Sequence, residues 1–341
     1  MSGPTAPTPS PSAAPVSRST DLIYVARLLT DRAMAYLQSL GHPYRVGTQA
    51  PPTRSELLAG LQGAAAAVIT LTEKIDSDLL AAAGPQLKTI ANVAVGYDNI
   101  DLPAANAAGV TVTNTPGVLD RASADHTFAL ILAATRRITE GDRLIRSRQP
   151  WVWGPRMLVG LDLSAGATLG ILGYGRIGRA VAQRALAFEM KVLATTRSAT
   201  PGTTQDGVTF VDTATLLARS DVVSVHTPLT PQTHHLIDDA ALTAMKPGAY
   251  LINTARGGVV DETALIAALH EGHLRGAALD VFQGEPAVNP ALIDAPGLVL
   301  TPHTASAGEA TRDAMGILAL NNAAAVLAGD PALSPVPTTT P

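Results

Sequence analysis

A chain of 341 residues with no cysteine and a net charge of −4 excludes disulfides, thiolate chemistry and an electrostatic hold on nucleic acid. Its 46% hydrophobic content suffices for two sizeable cores, yet no apolar run reaches the ~18 residues of a membrane span. Residues 1–18 are Pro, Ser, Thr and Ala with Arg18 the one charge; they lack the features of a signal or transit peptide. Together with the Pro/Thr-rich stretch 331–341 they read as disordered tails.

In chain order, residues 22–28 read as a strand, 31–40 as a helix, 65–70 as a strand, 78–83 as a helix and 87–93 as a strand. A short helix after Asp101 and a strand at 110–113 complete a first α/β unit near Pro116-Gly117. Ser123, with Asp125 in the following turn, predicts the N-cap of one long helix running toward Arg148. An irregular segment, Trp151-Val-Trp153-Gly-Pro155, holds both tryptophans. A second unit begins at Thr168, with strands expected near 168–172, 191–195, 208–211, 222–225, 249–252, 276–281 and 298–300. A final helix over about 309–327 has no strand to follow and is expected to pack back on the first unit. Strands alternating with helices make this an α/β protein built on parallel sheets.

The most informative stretch is Thr168-Leu-Gly-Ile-Leu-Gly-Tyr-Gly-Arg-Ile-Gly178, in which an apolar strand enters Gly173-x-Gly175-x-x-Gly178 and then an amphipathic helix. The first glycine allows the tight turn, the second a close backbone approach by a pyrophosphate, and the third close helix–strand packing. Free amides at the helix N-terminus favour an anion there. The pattern predicts a dinucleotide site.

Downstream, Arg256, Glu285 and His303 each follow a predicted strand, where open α/β sheets place their ligands. An arginine fork suits a carboxylate, a histidine exchanges protons near neutral pH, and a carboxylate beside it favours its charged form. Two histidine pairs, His270/His273 and His234/His235, have a metal-like spacing but no third ligand, so no metal is expected.

Taken together, these motifs resemble the D-isomer-specific 2-hydroxyacid dehydrogenases, most closely their glyoxylate/hydroxypyruvate reductase branch. The resemblance runs from about Ile23 to Gly329 through 92–101, the glycine fingerprint, 226–233, 253–257, 278–282 with Glu285-Pro286, and 301–303. It implies two Rossmann-like/flavodoxin-like domains with the active site in the cleft between them. The substrate domain would span 19–119, completed by 308–330, and the coenzyme domain 120–307. By this resemblance Arg256 binds the substrate's carboxylate and carbonyl, His303 is the proton donor and Glu285 its partner. Backbone amides at Val95 and Gly96 would hold the carboxylate from the other domain. The implied coenzyme contacts are Gly173, Tyr174, Gly175, Arg176, Ile177, Gly178, Thr196, Arg197, Ser198, His226, Pro228, Thr233, Thr254 and Ala255, with Asp280 on the nicotinamide carboxamide. Family members are usually dimers joined through the coenzyme domain, with the long helix after Ser123 in the contact. Trp153 is similar to a tryptophan that reaches the partner's site in the glyoxylate-reducing branch; filling the dimer core is the alternative.

Coenzyme choice follows from the second strand. NAD sites place an acid about 20 residues past the glycines, for the ribose 2′-hydroxyl. No acid occurs between Glu189 and Asp206 here, and Thr196-Arg197-Ser198 supplies hydroxyls and a guanidinium suited to a 2′-phosphate. The expectation is a cytoplasmic NADPH-dependent reductase of glyoxylate and hydroxypyruvate, with NADH the weaker coenzyme. The alternatives are a reductase of a bulkier oxoacid, such as 2-ketogluconate or an aromatic one, and a nucleotide-sensing protein of the corepressor type.

Overall fold

The computed structural model describes residues 20–337, which fall into two compact units. Residues 1–18, expected as a disordered tail, lie outside the described residues.

Unit 1 comprises the residues up to Val93, Asn99–Asn114 and the residues from Gly316 onward. It holds strands β1 (Leu22–Val25), β2 (Tyr44–Val46), β3 (Ala64–Ile69), β4 (Thr89–Asn92) and β5 (Thr111–Thr113). They form one parallel sheet in the order β2-β1-β3-β4-β5. Every residue of β3 and β4 is buried, as central strands covered on both faces require. Helices α1 (Asp31–Ser39), α2 (Arg54–Leu61), α3 (Ser77–Ala83) and α4 (Leu102–Ala107) alternate with the strands. Three are started by side chains on their free amides: a Thr53/Glu56 capping box for α2, Asp76 for α3 and Asp101 for α4.

The end of the described chain departs from the reading of 331–341 as a tail. Ser334 N–H donates to Asn322 Oδ1 at 2.9 Å, Asn114 N–H to the Ser334 carbonyl at 3.2 Å, and Val336 N–H to the Val112 carbonyl at 2.9 Å. Thr113 and Pro335 form an antiparallel bridge, so residues 334–336 extend the sheet beside β5. Unsatisfied edge amides and a buried asparagine give this proline-rich segment partners that composition does not reveal.

Unit 2 comprises Ala94–Asp98 and Thr115–Met315. It opens with α5 (Asp120–Thr135) and α6 (Ile138–Arg146), where one helix starting at Ser123 was expected. Ser123 lies inside α5, buried, its amide bonded to the Leu119 carbonyl. The break has a local cause. Leu161 N–H takes the Thr135 carbonyl at 2.9 Å, Gly160 packs directly on that oxygen, and Arg137 turns left-handed with φ 52°.

The eight-stranded sheet follows: β6 (Thr168–Leu172), β7 (Lys191–Thr195), β8 (Thr204–Gln205), β9 (Val208–Phe210), β10 (Val222–Val225), β11 (Tyr250–Asn253), β12 (Gly276–Leu279) and β13 (Leu298–Leu300). Their order is β13-β12-β11-β10-β6-β7-β9-β8, all parallel except β8 against β9. Strand order reverses between β6 and β10, and ligands of open α/β sheets bind at the carboxyl ends of strands beside such a reversal. Helix α7 (Arg176–Ala187) and α5 cover one face, on a core that includes Ile131, Ile171, Val181 and Ile252. Helices α8 (Thr213–Arg219), α9 (Asp239–Ala244), α10 (Glu262–His270) and α11 (Pro290–Asp294) belong to the other, around Leu216, Leu251, Leu265 and Leu292. The last helix is α12 (Glu309–Ala328). Its part from Gly316 belongs to unit 1, where Gly316 packs on Ala33 and Tyr36 hydrogen-bonds Asn321.

Candidate active site

At the carboxyl end of β6 the three fingerprint glycines have distinct surroundings. Gly173 has φ 100°, and a Cβ there would lie 2.7 Å from the His226 carbonyl oxygen at the end of β10. A Cβ on Gly178 would lie 2.4 Å from the Gly173 oxygen, so helix and strand touch through backbone. Gly175 meets nothing within 4 Å, which keeps the approach to its backbone open. It is also the N-cap of α7, with no side chain on the free amides of Arg176 and Ile177. An open glycine and an uncapped helix start fit a phosphate group. Tyr174 packs edge-on to Phe210, ring centroids 5.2 Å apart.

Past β7, the Thr196 and Ser198 hydroxyls lie 3.1 Å apart and Arg197 is exposed beside them. Thr195 is bonded to the glycine turn, its carbonyl accepting from Tyr174 N–H at 3.0 Å. Past β10, His226 shares a 2.9 Å hydrogen bond with Ser224, and desolvation of its ring pushes its pKa down to about 4. The ring is therefore neutral at physiological pH. Thr233 closes the following turn by donating to the Pro228 carbonyl at 2.6 Å.

Past β11, β12 and β13 stand Arg256, Glu285 and His303, the residues expected to carry the chemistry. Asn253 is 1% exposed; its Oδ1 accepts from Ala255 N–H at 3.0 Å and its Nδ2 donates to the Arg256 carbonyl at 2.9 Å. This buried amide shapes the turn that presents Arg256, while Thr254 bonds the Thr127 hydroxyl of α5 at 2.9 Å. Arg256 Nε donates to Asp98 Oδ1 at 2.8 Å and Nη1 to the Ala255 carbonyl at 2.8 Å. The guanidinium lies on Gly96, where a Cβ would sit 1.5 Å from Nη2. Residues 94–98, including Val95 and Gly96, cluster with unit 2 rather than with the first domain, where they were expected.

Glu285 receives Phe282 N–H on Oε1 at 2.8 Å and faces His303 Nδ1 with Oε2 at 2.7 Å. Burial raises the carboxyl's pKa, but the His303 hydrogen bond and charge, the Phe282 amide and the Arg256 charge outweigh it and hold it below its ordinary value. Glu285 is thus a carboxylate near neutral pH, facing the His303 ring.

The Asp280 side chain, expected at a nicotinamide, is fully buried and anchors the 301–305 turn. Oδ1 accepts from Thr301 Oγ1 at 2.6 Å and Thr304 N–H at 2.8 Å, and Oδ2 from Ala305 N–H at 2.8 Å. The Asp280 carbonyl takes His303 N–H at 2.8 Å, and His303 is held at φ 52°. His126 of α5 completes the cluster, its Nε2 lying 3.1 Å from Thr301 Oγ1. Asp98, Asn253 and His126 escape a reading by sequence; the signal for Asn253 is an amide at the end of an otherwise apolar strand.

Trp153 lies apart from these groups in an irregular segment and is 75% exposed. His234 stacks on His235, whose Nε2 accepts from Gln283, and His273 bonds the Leu242 carbonyl. Among the described residues, no group of three or more His, Cys, Asp or Glu is arranged to hold a metal ion. Nor is any described helix long and apolar enough to cross a membrane.

Known proteins agree with this geometry. Residues 128–305 match the D-isomer specific 2-hydroxyacid dehydrogenase, NAD binding domain. The glyoxylate reductase of Thermococcus litoralis is 47% identical over 288 residues, 83% of this chain and 86% of that protein. The crystal structure of a Thermus thermophilus protein superposes with a TM-score of 0.87 at 44% identity, over 93% of this chain and 100% of that one. The structure of an NADPH-dependent glyoxylate/hydroxypyruvate reductase from Sinorhizobium meliloti, in complex with NADP and malonate, gives 0.81 at 32% identity, over 94% and 98%. The chain belongs to the D-isomer specific 2-hydroxyacid dehydrogenase family of oxidoreductases, on its glyoxylate reductase branch.

Proposed function

We propose that this chain is an NADPH-dependent reductase of small 2-oxoacids, glyoxylate and hydroxypyruvate first among them. The observation that carries the reading is the His303–Glu285 pair beside Arg256, on three adjacent strand ends of the sheet whose β6 end bears the glycine turn. Bound nicotinamide coenzyme would supply the hydride. Arg256 would bind the carboxylate and draw charge from the carbonyl, an electrostatic assistance prepared before the reaction. Protonated His303 would give its proton from Nε2 to the carbonyl oxygen, while Glu285 on Nδ1 fixes the ring.

The glycine turn and α7 would hold the pyrophosphate, and unit 2 takes the coenzyme role. Arg197, Thr196 and Ser198 would receive the 2′-phosphate. Support comes from the absence of an acid after β7 and from the NADPH-dependent relative in complex with NADP. The proposed quaternary state is a homodimer: Ile138, Ile145, Trp151, Val152 and Trp153 are apolar and exposed on α6 and the segment after it. A second copy would cover them. A cytoplasmic location suits an enzyme using this coenzyme and no disulfides.

The test is steady-state reduction of a panel of 2-oxoacids with NADPH and with NADH. Glyoxylate and hydroxypyruvate turnover with NADPH preferred is the expected result. Preference for a bulky oxoacid would move the substrate class, and coenzyme binding without turnover would favour a nucleotide sensor.

A further inference from the structure

Arginine is a poor clamp when loose, because its long stem samples many rotamers while its selectivity comes from a fixed plane. Arg256 is fixed from two sides. Ala255 takes one Nη1 proton through its carbonyl, and Asp98 Oδ1 takes the Nε proton at 2.8 Å. Gly96, two residues before Asp98, is the floor on which Nη2 and Cζ rest; even a methyl group there would collide with both. The Asp98 side chain is 40% exposed and that of Arg256 21%, so the pair stands at the surface of unit 2 rather than in its core. Its contribution to folding is correspondingly small.

The geometry points to Asp98 as the positioning residue of Arg256. Its carboxylate holds the guanidinium plane through Nε and reserves the Nη1–Nη2 end for the substrate's carboxylate. This rests on the proposed role of Arg256 as the carboxylate clamp. Substrate then meets a preset fork, and the ordering is done before binding.

The competing use of the same contact is a latch: Asp98 standing in for the substrate carboxylate and displaced by it. The two differ in sign. With Asp98 as positioner, Asp98→Ala lowers kcat/KM for glyoxylate by about 10- to 150-fold, the worth of one charge-assisted hydrogen bond. Asp98→Asn recovers most of it, because the amide oxygen still accepts from Nε. In an Arg256→Lys background, which has no Nε–H, Asp98→Ala has an effect within about twofold. The dissociation constant of NADPH, read by fluorescence, stays at its native value throughout. A lower KM in Asp98→Ala would establish the latch and overturn the proposal. An equal loss in the lysine background, or no rescue by asparagine, would overturn it in favour of a general structural role. Native turnover of the oxoacid panel is measured first. A native enzyme without turnover refutes the clamp reading, and an active one with indifferent Asp98 variants refutes only Asp98.

Discussion

Nδ1 of His303 and Oε2 of Glu285 lie 2.7 Å apart, delivered by the neighbouring strands β13 and β12. The carboxylate fixes which ring nitrogen faces outward, and the left-handed backbone of His303 sets its direction. A protein holds a non-glycine residue in that region only where its surroundings over-determine it. Here they do, through the Asp280 carbonyl and carboxylate.

With His303 as the proposed proton donor, alanine in its place leaves no acid for the carbonyl oxygen. Reduction of glyoxylate should fall by roughly 10²–10⁴-fold, with NADPH affinity nearly unchanged. Steady-state kinetics alongside coenzyme titration measure this; a near-native kcat would take His303 out of the mechanism.

Glu285→Gln keeps the shape of the pair and removes its charge. Reduction of glyoxylate should fall, because the ring loses the carboxylate that orients it through Nδ1. Stability carries a second signature. The folded-state pKa of Glu285 is depressed, so its stabilising contribution is present above the ordinary carboxylate value and disappears as pH falls through the folded one. Urea melts of the two proteins at neutral and acid pH should therefore differ most at neutral pH.

Gly96→Ala would place a methyl group where the guanidinium of Arg256 now lies. The fork must shift by about an ångström, and a misplacement of that size can cost roughly 10²-fold in rate. The expected outcome is a folded protein with kcat/KM reduced on that scale. Wild-type activity in the alanine variant would mean that Arg256 works from another position.

Coenzyme choice can be read at one residue. Arg197→Ala should weaken NADPH binding by about 10- to 150-fold and leave NADH binding close to native. Equal loss with both coenzymes would make Arg197 an ordinary surface charge.

For Trp153 the measurement is paired. If it borders a partner's pocket, Trp153→Ala admits bulkier oxoacids while light scattering still reports a dimer. Monomers with an unchanged substrate ranking would assign it to the dimer contact alone.

The residues that sequence reveals are those whose type does the work. Gly173, Gly175 and Gly178 are legible because only glycine suits a turn, an approach and a contact in that order. Arg256, Glu285 and His303 are legible because strand ends are counted along the chain. What escapes depends on distant partners. Asp98 meets Arg256 across 158 positions, and the hold of Asp280 on the amides of residues 304 and 305 spans more than 20. The break after Thr135 is equally hidden, since the group that ends the helix is Leu161. Proline content misled at 334–336, where three backbone amides and an asparagine decide the outcome.

Unit 1 gathers residues up to Val93, a short piece at 99–114 and the chain from Gly316 onward, whereas unit 2 is nearly one unbroken span, Thr115–Met315. On the ribosome this imposes a schedule. The span 115–315 can close its sheet as soon as it has emerged. Unit 1 is complete only once α12 and the strand-like stretch at Ser334–Val336 that lines β5 have followed. At ~5–20 residues per second, the delay between Asn114 and Gly316 is roughly 10–40 s. For that interval the flank of β5 that Ser334–Val336 will line is a pairing edge without its partner.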